Sequence, residues 1–271
     1  MEQQEYHNWK RIHRIYEGMK NQEEVPLKDL ARLVQAAEEE MSGRSGEWHN
    51  FGHVTEAYYY EYFFGGGDYE EAPLNMSGIW RLFGSRLEKQ GQTKDAKEAF
   101  ERALQWNPAD CESLLALIEI YRKLEDLEMY RELTDESYDF CNTRALLARY
   151  YRNLGYYHLE NYRPELAEAL YLYSELFYPT EHARRELSFL REVLKRETPA
   201  YTKERLCEIL AEYEIPLEAS RETLALTLQA AKDCEKSGRY TEAGECYRMI
   251  YDLTGDPEIW ETLKSLEEEE E

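Results

Sequence analysis

Residues 80–108 read WRLFGSRLEKQGQTKDAKEAFERALQWNP, and the apolar and small residues of this charged stretch recur at helical spacing. Side chains three or four residues apart share one face of a helix. Trp80, Phe83, Gly84 and Leu87 therefore form one stripe, and Ala96, Phe100, Ala103 and Leu104 form a second. Gly91 lets the chain reverse between them, and Pro108 cannot extend the second helix. Gly84 and Ala96 let the two backbones approach closely, with Trp80 and Phe100 filling the space beside them. The spacing predicts a helical hairpin with both aromatics in its core, so Trp80→Ala is expected to cost about 3–5 kcal/mol. One hairpin cannot bury both of its faces, and neighbours are required.

The neighbours are visible at comparable spacing. Residues 151–179, YRNLGYYHLENYRPELAEALYLYSELFYP, place Tyr151, Leu154, Gly155, His158, Ala167, Tyr171, Ser174 and Pro179 in the same order. Residues 227–257 supply Ala230, Ala231, Cys234, Gly238, Ala243, Tyr247 and Ile250. This order, W-x2-L-G-x2-Y, then A-x3-F, then P, resembles the tetratricopeptide repeat signature. Phe83 and Leu87 stand where the family has Leu and Tyr, and His158 and Ser174 also depart from it.

The resemblance implies an all-α fold, a right-handed α–α superhelix built from antiparallel helix pairs. Repeats are expected over 77–110, 148–181 and 224–257, with a degenerate repeat at 111–147 whose first helix carries Leu114, Leu117, Ile118 and Tyr121. A looser helical pair is expected over 182–223. Trp80, Phe100, Tyr171 and Tyr247 read as core residues.

The ends are less regular. Residues 1–76 form an N-terminal helical region with one stripe through Tyr6, Trp9, Ile12, Ile15, Tyr16 and Met19, and another through Leu27, Leu30, Val34, Ala37 and Met41. A third helix is expected from about Glu47 to Phe64. The GGGDYEEA stretch that follows resembles a repeat turn whose second helix is cut short. Residues 258–271 read as a capping helix, Trp260 and Leu263 covering the last seam and the Glu run facing solvent. The expectation is one continuous solenoid.

Composition narrows the function classes. The formal charge is -23, which repels a phosphate backbone and argues against nucleic acid as a partner. No run of eighteen apolar residues and no apolar leader occurs, so neither membrane insertion nor export is expected. Five widely spaced cysteines without a C-x-x-C pair suit reduced thiols and a cytoplasmic location. The chain also holds 23 tyrosines, whose apolar bodies and polar tips suit half-wet helix seams. Those seams and Trp260 leave self-association open.

Candidate sites follow from geometry. The three glycines at 65–67 lack the Lys and the preceding strand of a phosphate loop, and read as a turn. His49 and His53 lie four apart with Glu56 beyond, which on a helix would put two imidazoles and a carboxylate on one side as metal ligands. The other reading is packing or capping histidines. No nucleophile motif appears, and no cofactor is expected.

In tetratricopeptide arrays the first helix of each pair lines a concave groove. Transferring the family's groove positions selects Arg81, Ser85 and Glu88, then Glu119, Arg122 and Lys123, then Arg149, Arg152, Asn153 and Tyr156. Family members that grip a peptide's terminal carboxylate use Lys, Arg and Asn at such places. Ser85 stands where that clamp has Asn. These cations either hold a partner's carboxylates or pair with Glu on adjacent helices. The leading expectation is a non-enzymatic scaffold that holds a protein or peptide partner, such as an acidic segment or a C-terminal carboxylate. A bacterial peptide-responsive regulator and a metal-binding protein or enzyme at His49 and His53 are the alternatives.

Overall fold

The computed structural model describes residues 2–22 and 24–270, with the side chains of residues 8–22 and 24–266. Among these are fourteen α-helices, most of them packed against helices near them in the chain, an arrangement compatible with a helical repeat. The chain divides into two compact units, Met1–Asp126 and Leu127–Glu271. The boundary falls inside the repeat expected at 111–147. No helix among the described residues is long and apolar enough to cross a membrane.

The first unit holds α1 (Glu2–Lys20), α2 (Leu27–Met41), β1 (Trp48–His49), α3 (Val54–Phe63), β2 (Glu70–Glu71), α4 (Met76–Lys89), α5 (Thr93–Trp106) and α6 (Cys111–Lys123). The second holds α7 (Leu127–Ser137), α8 (Arg144–Glu160), α9 (Pro164–Phe177), α10 (Glu181–Leu194), α11 (Lys203–Glu212), α12 (Arg221–Lys236), α13 (Tyr240–Thr254) and α14 (Pro257–Glu270).

One local device recurs. Gly91, Glu125, Tyr162, Glu214 and Gly238 all adopt positive φ just after a helix. In each case the next residue's N–H reaches back five residues. Gln92 donates to Leu87, Asp126 to Tyr121, Arg163 to His158, Ile215 to Leu210 and Arg239 to Cys234, at 2.9–3.1 Å. These bonds satisfy carbonyls that the helix end would otherwise orphan, and the left-handed residue turns the chain sharply. The helices that end this way are also capped at their starts by a side chain. Asn75, Asp110, Thr143, Thr202 and Ser220 accept from backbone N–H groups of α4, α6, α8, α11 and α12. The helices after the turns at 91, 162 and 238, namely α5, α9 and α13, have no such cap.

The small-residue positions have the packing role expected of them. A Cβ on Gly84 would lie 2.9 Å from the Phe100 ring, and one on Gly155 would lie 3.1 Å from the Tyr171 ring. Phe100 and Tyr171 are fully buried, as are Ala231 and Tyr247 in the corresponding places of the α12–α13 pair. Trp80 departs from expectation. It is only half-buried, packing at the margin of a core of Ile12, Tyr16, Leu33, Val34, Met76 and Ile79, with its indole N–H donating to Glu38 at 2.8 Å. Ile79, one residue earlier, takes the buried place.

The N-terminal region differs most. The helix expected from Glu47 begins only at Val54, and within residues 47–53 the regular structure is the two-residue strand at 48–49. β1 pairs in parallel with β2, where the sequence suggested a truncated helix, with Trp48 opposite Glu70 and His49 opposite Glu71. Polar pins to distant residues explain this. The Asn50 side chain accepts from Ser77 N–H at 3.0 Å and donates to Asn75 at 3.1 Å, while its backbone N–H donates to the Trp106 carbonyl. A helix through Asn50 and Gly52 would forfeit these bonds for weak helix propensity. Elsewhere in this region the stripes form as expected, except that Ile15 is exposed. The Tyr6 side chain lies outside the described residues.

In the second unit, Leu147, Tyr151, Leu154, Leu170, Tyr173, Leu206 and Leu210 form the main core. α14 covers α13 with Leu263 and Leu266, whereas Trp260 is 38% exposed and stacks on Tyr251. The side chains of the terminal Glu run lie outside the described residues.

Candidate functional site

α8 begins at its Thr143 cap and buries Leu147, Tyr151, Leu154, Gly155 and His158 on one side. Helical periodicity then brings Arg149, Arg152, Asn153 and Tyr156 toward another, half-buried side. The Arg152 guanidinium makes one described hydrogen bond, a long 3.4 Å contact to the Tyr178 carbonyl. Burial, and then the adjacent Arg149 charge, pull its pKa below the usual arginine value. The Asn153 side-chain NH2 is buried and has no hydrogen-bond partner among the described residues. The Tyr156 ring stands edge-on to the buried Tyr130 at 5.2 Å, and Tyr130 donates to the Asn153 carbonyl at 3.2 Å. Cationic donors thus share this face with an amide NH2 that no described residue satisfies.

The first unit treats its groove cations differently. Arg81 is held 2.7 Å from Asp110 and 2.7 Å from Glu112. Arg122 donates to Glu119 at 2.8 Å, and Lys123 lies 2.7 Å from Glu88. Arg81 belongs to a network the sequence reading missed. Asp110 caps α6, and its carboxylate also accepts from the hydroxyls of Ser77 and Ser113 at 2.8 and 2.6 Å. The signal was an Asp just ahead of the apolar run CESLLALI, a cap position.

His49, His53 and Glu56 do not share a helix face, because the helix starts after His53. His49 lies in β1, its Nδ1 3.2 Å from the Trp106 carbonyl and its Nε2 3.0 Å from both Glu47 and the Tyr60 hydroxyl. His53 caps α3, accepting from Thr55 N–H. Glu56 closes the capping box by accepting from His53 N–H at 3.1 Å, and it also accepts from Gly52 N–H at 2.6 Å and Asn107 at 2.8 Å. Among the described residues no group of three His, Cys, Asp or Glu could hold a metal ion.

Glu56 has a measurable signature. Burial pushes its carboxyl above the ordinary range, against the Asn107 hydrogen bond, and the Asp110 charge adds to the rise. With the folded pKa above the unfolded one, this contribution is intact below the unfolded value and is lost as pH rises through the folded value. Thermal melts from about pH 4 to about pH 8 will therefore show Glu56→Gln gaining on the wild type as pH increases. A gap that stays constant across that range would refute the burial penalty. No protein-family model matches the chain, and no curated protein sequence matches it either.

Proposed function

We propose that this chain is a non-enzymatic, tetratricopeptide-like binding scaffold, its helix pairs forming a right-handed solenoid that holds an acidic protein or peptide segment. The α8 face around Arg149, Arg152 and Asn153 is the anchor for a partner's carboxylates. The observation that carries this reading is the half-buried Arg152 guanidinium, whose one described hydrogen bond is a long 3.4 Å contact, beside the like charge of Arg149. An arriving carboxylate would give that guanidinium a strong acceptor and offset the like charges, because charge-assisted hydrogen bonds are among the stronger ones. Arg81, Arg122 and Lys123 are already neutralised by this chain's own carboxylates, so they contribute less to capture. Tyr156 offers an aromatic flank with little rotamer entropy to lose. Five free thiols fit a reducing cytoplasm.

The test is Arg149→Glu with Arg152→Glu, titrated against a fluorescent Glu-rich peptide with a free C-terminus. Affinity is expected to fall roughly tenfold to a hundredfold, the worth of one or two charge-assisted bonds. The melting curve should stay close to wild type, since both arginines lie on the half-buried side of α8 and outside its core stripe. Undiminished binding by the folded double variant refutes the assignment.

A further inference from the structure

α10 meets the rest of its unit with one face. Ala183, Leu187 and Leu190 recur at helical spacing and pack on Ala167 and Tyr171 of α9, the one helix among the described residues that α10 packs on extensively. Arg196, just past the helix end, adds an ion pair at 2.8 Å to the fully buried Glu168 of α9. Most of the helix stays in water. Of its fourteen residues only Ala183 and Leu190 are buried, while Phe189 and Val193 are 50% and 46% exposed.

The outer face is a row of sockets. Residues two apart on a helix lie roughly opposite one another, so Ser188 points away from the side that Leu190 buries. In helix pairs, four residues at i, i+3, i+4 and i+7 frame the hole that receives a side chain of the facing helix. Arg185, Ser188, Phe189 and Glu192 stand at those intervals and border a hollow of about 410 Å³. Ser188, Arg191, Glu192 and Lys195 repeat the pattern around a second hollow of about 570 Å³. The small Ser188 side chain borders both.

The charges of this face complement themselves. Arg184 donates to Glu181, and Arg191 donates to Ser188 at 2.8 Å and lies 3.7 Å from Glu197, so both are engaged within the chain. Arg185 and Glu192 are exposed and have no ion-pair partner among the described residues. Two turns, about 10 Å, separate them, whereas an ion pair along a helix spans one. Laid antiparallel on a second α10, with the midpoint between Ser188 and Phe189, each Arg185 faces Glu192 of the other copy and each Phe189 faces Ser188. The arrangement is its own inverse, as a two-fold contact requires, whereas an in-register parallel pairing would oppose like charges.

We propose that the solvent face of α10 is a homodimer contact, the helices of two copies packing antiparallel with Phe189 seated beside Ser188 of the second copy and Arg185 paired with its Glu192. This contact stands independently of the α8 face and of what binds there.

Sedimentation equilibrium of the full chain over roughly 5–500 μM, the range a small and transient interface needs, is expected to show a monomer–dimer equilibrium. Phe189→Glu puts a charge into the socket and is expected to weaken the dimer at least roughly tenfold. Arg185→Glu and Glu192→Arg, each alone, oppose like charges at both symmetric ends and should weaken it roughly threefold to thirtyfold. Together they reverse every pair, and the dimer constant should return to within about threefold of wild type. All three positions are solvent-exposed, and circular dichroism melts verify folding. A wild type that stays monomeric throughout, a dimer indifferent to Phe189→Glu, or a double variant no better than the single ones overturns the proposal.

Discussion

Phe100→Ala will cost about 3–5 kcal/mol of the stability of residues 1–126, and Trp80→Ala will cost roughly 1–2 kcal/mol, although Trp is the larger residue. Phe100 is fully buried against Gly84 and the Ala99 side of the same interface, so truncation leaves a void that helices joined by a three-residue turn cannot readily close. Trp80 keeps part of its ring in water, and its indole N–H is bonded to Glu38 at the edge. Loss there removes less area from burial and leaves no enclosed hole. Four of the five tryptophans, Trp9, Trp48, Trp80 and Trp106, lie in this unit, so tryptophan fluorescence during urea unfolding reports on it selectively. A Trp80→Ala loss equal to that of Phe100→Ala would contradict the burial described. Gly84→Ala sharpens the point. Helix propensity favours Ala by about 1 kcal/mol, whereas overpacking costs typically 1–3 kcal/mol. At 2.9 Å from a ring carbon, overpacking wins.

The Trp80 error shows which features of the fold a sequence can disclose. Periodicity identifies the face that meets the partner helix, so Gly84, Ala96 and Phe100 were legible. It does not say how far the next element extends over the edge of that face. Ile79 and Trp80 sit side by side, and only the packing of α1 and α2 decides which is covered. Turn chemistry was half legible. Gly91 and Gly238 mark left-handed turns, but Glu125, Tyr162 and Glu214 adopt the same conformation without a glycine to announce it. The strand pair at 48–49 and 70–71 carries no periodic signal because it is two residues long and is set by bonds to residues 25 to 57 positions away.

The candidate site divides along the same line. Helical offsets put Arg149, Arg152, Asn153 and Tyr156 on one helix, and that much came from the sequence. Whether a groove cation is already neutralised depends on contacts one repeat away. Lys123 meets Glu88 at a separation of 35 residues and Arg81 meets Asp110 at 29. Intervals near the repeat length bring residues of adjacent hairpins together, so these pairs were in principle accessible to a reading that compared charges at that interval. The unsatisfied Asn153 amide was not accessible that way, since burial of one atom depends on every surrounding side chain.

Tyr151 occupies the place in α8 that Trp80 occupies in α4, yet Tyr151→Ala will cost about 3–5 kcal/mol. The reason is a strap. Residues 215–219 form neither helix nor strand, so their carbonyls have no ladder partners. Three tyrosine hydroxyls serve instead: Tyr151 donates to Pro216 at 2.9 Å, Tyr173 to Leu217 at 2.8 Å and Tyr138 to Glu218 at 2.8 Å. Ile215 and Ala219 of the strap enter the same core as the fully buried Tyr151 ring. The abundance of tyrosine thereby acquires a physical use, since each ring fills the core while its hydroxyl fixes an irregular segment. Tyr151→Phe retains the ring and loses only the donor, leaving the Pro216 carbonyl unsatisfied at a cost of about 1–2 kcal/mol. Paired with Tyr173→Phe, the two losses will be non-additive because both bonds restrain one strap. Circular dichroism in urea, with hydrogen exchange over 138–225, measures each variant. If Tyr151→Phe matches the wild type while Tyr151→Ala loses no more than Trp80→Ala, the hydroxyl clasp does not hold the second unit together.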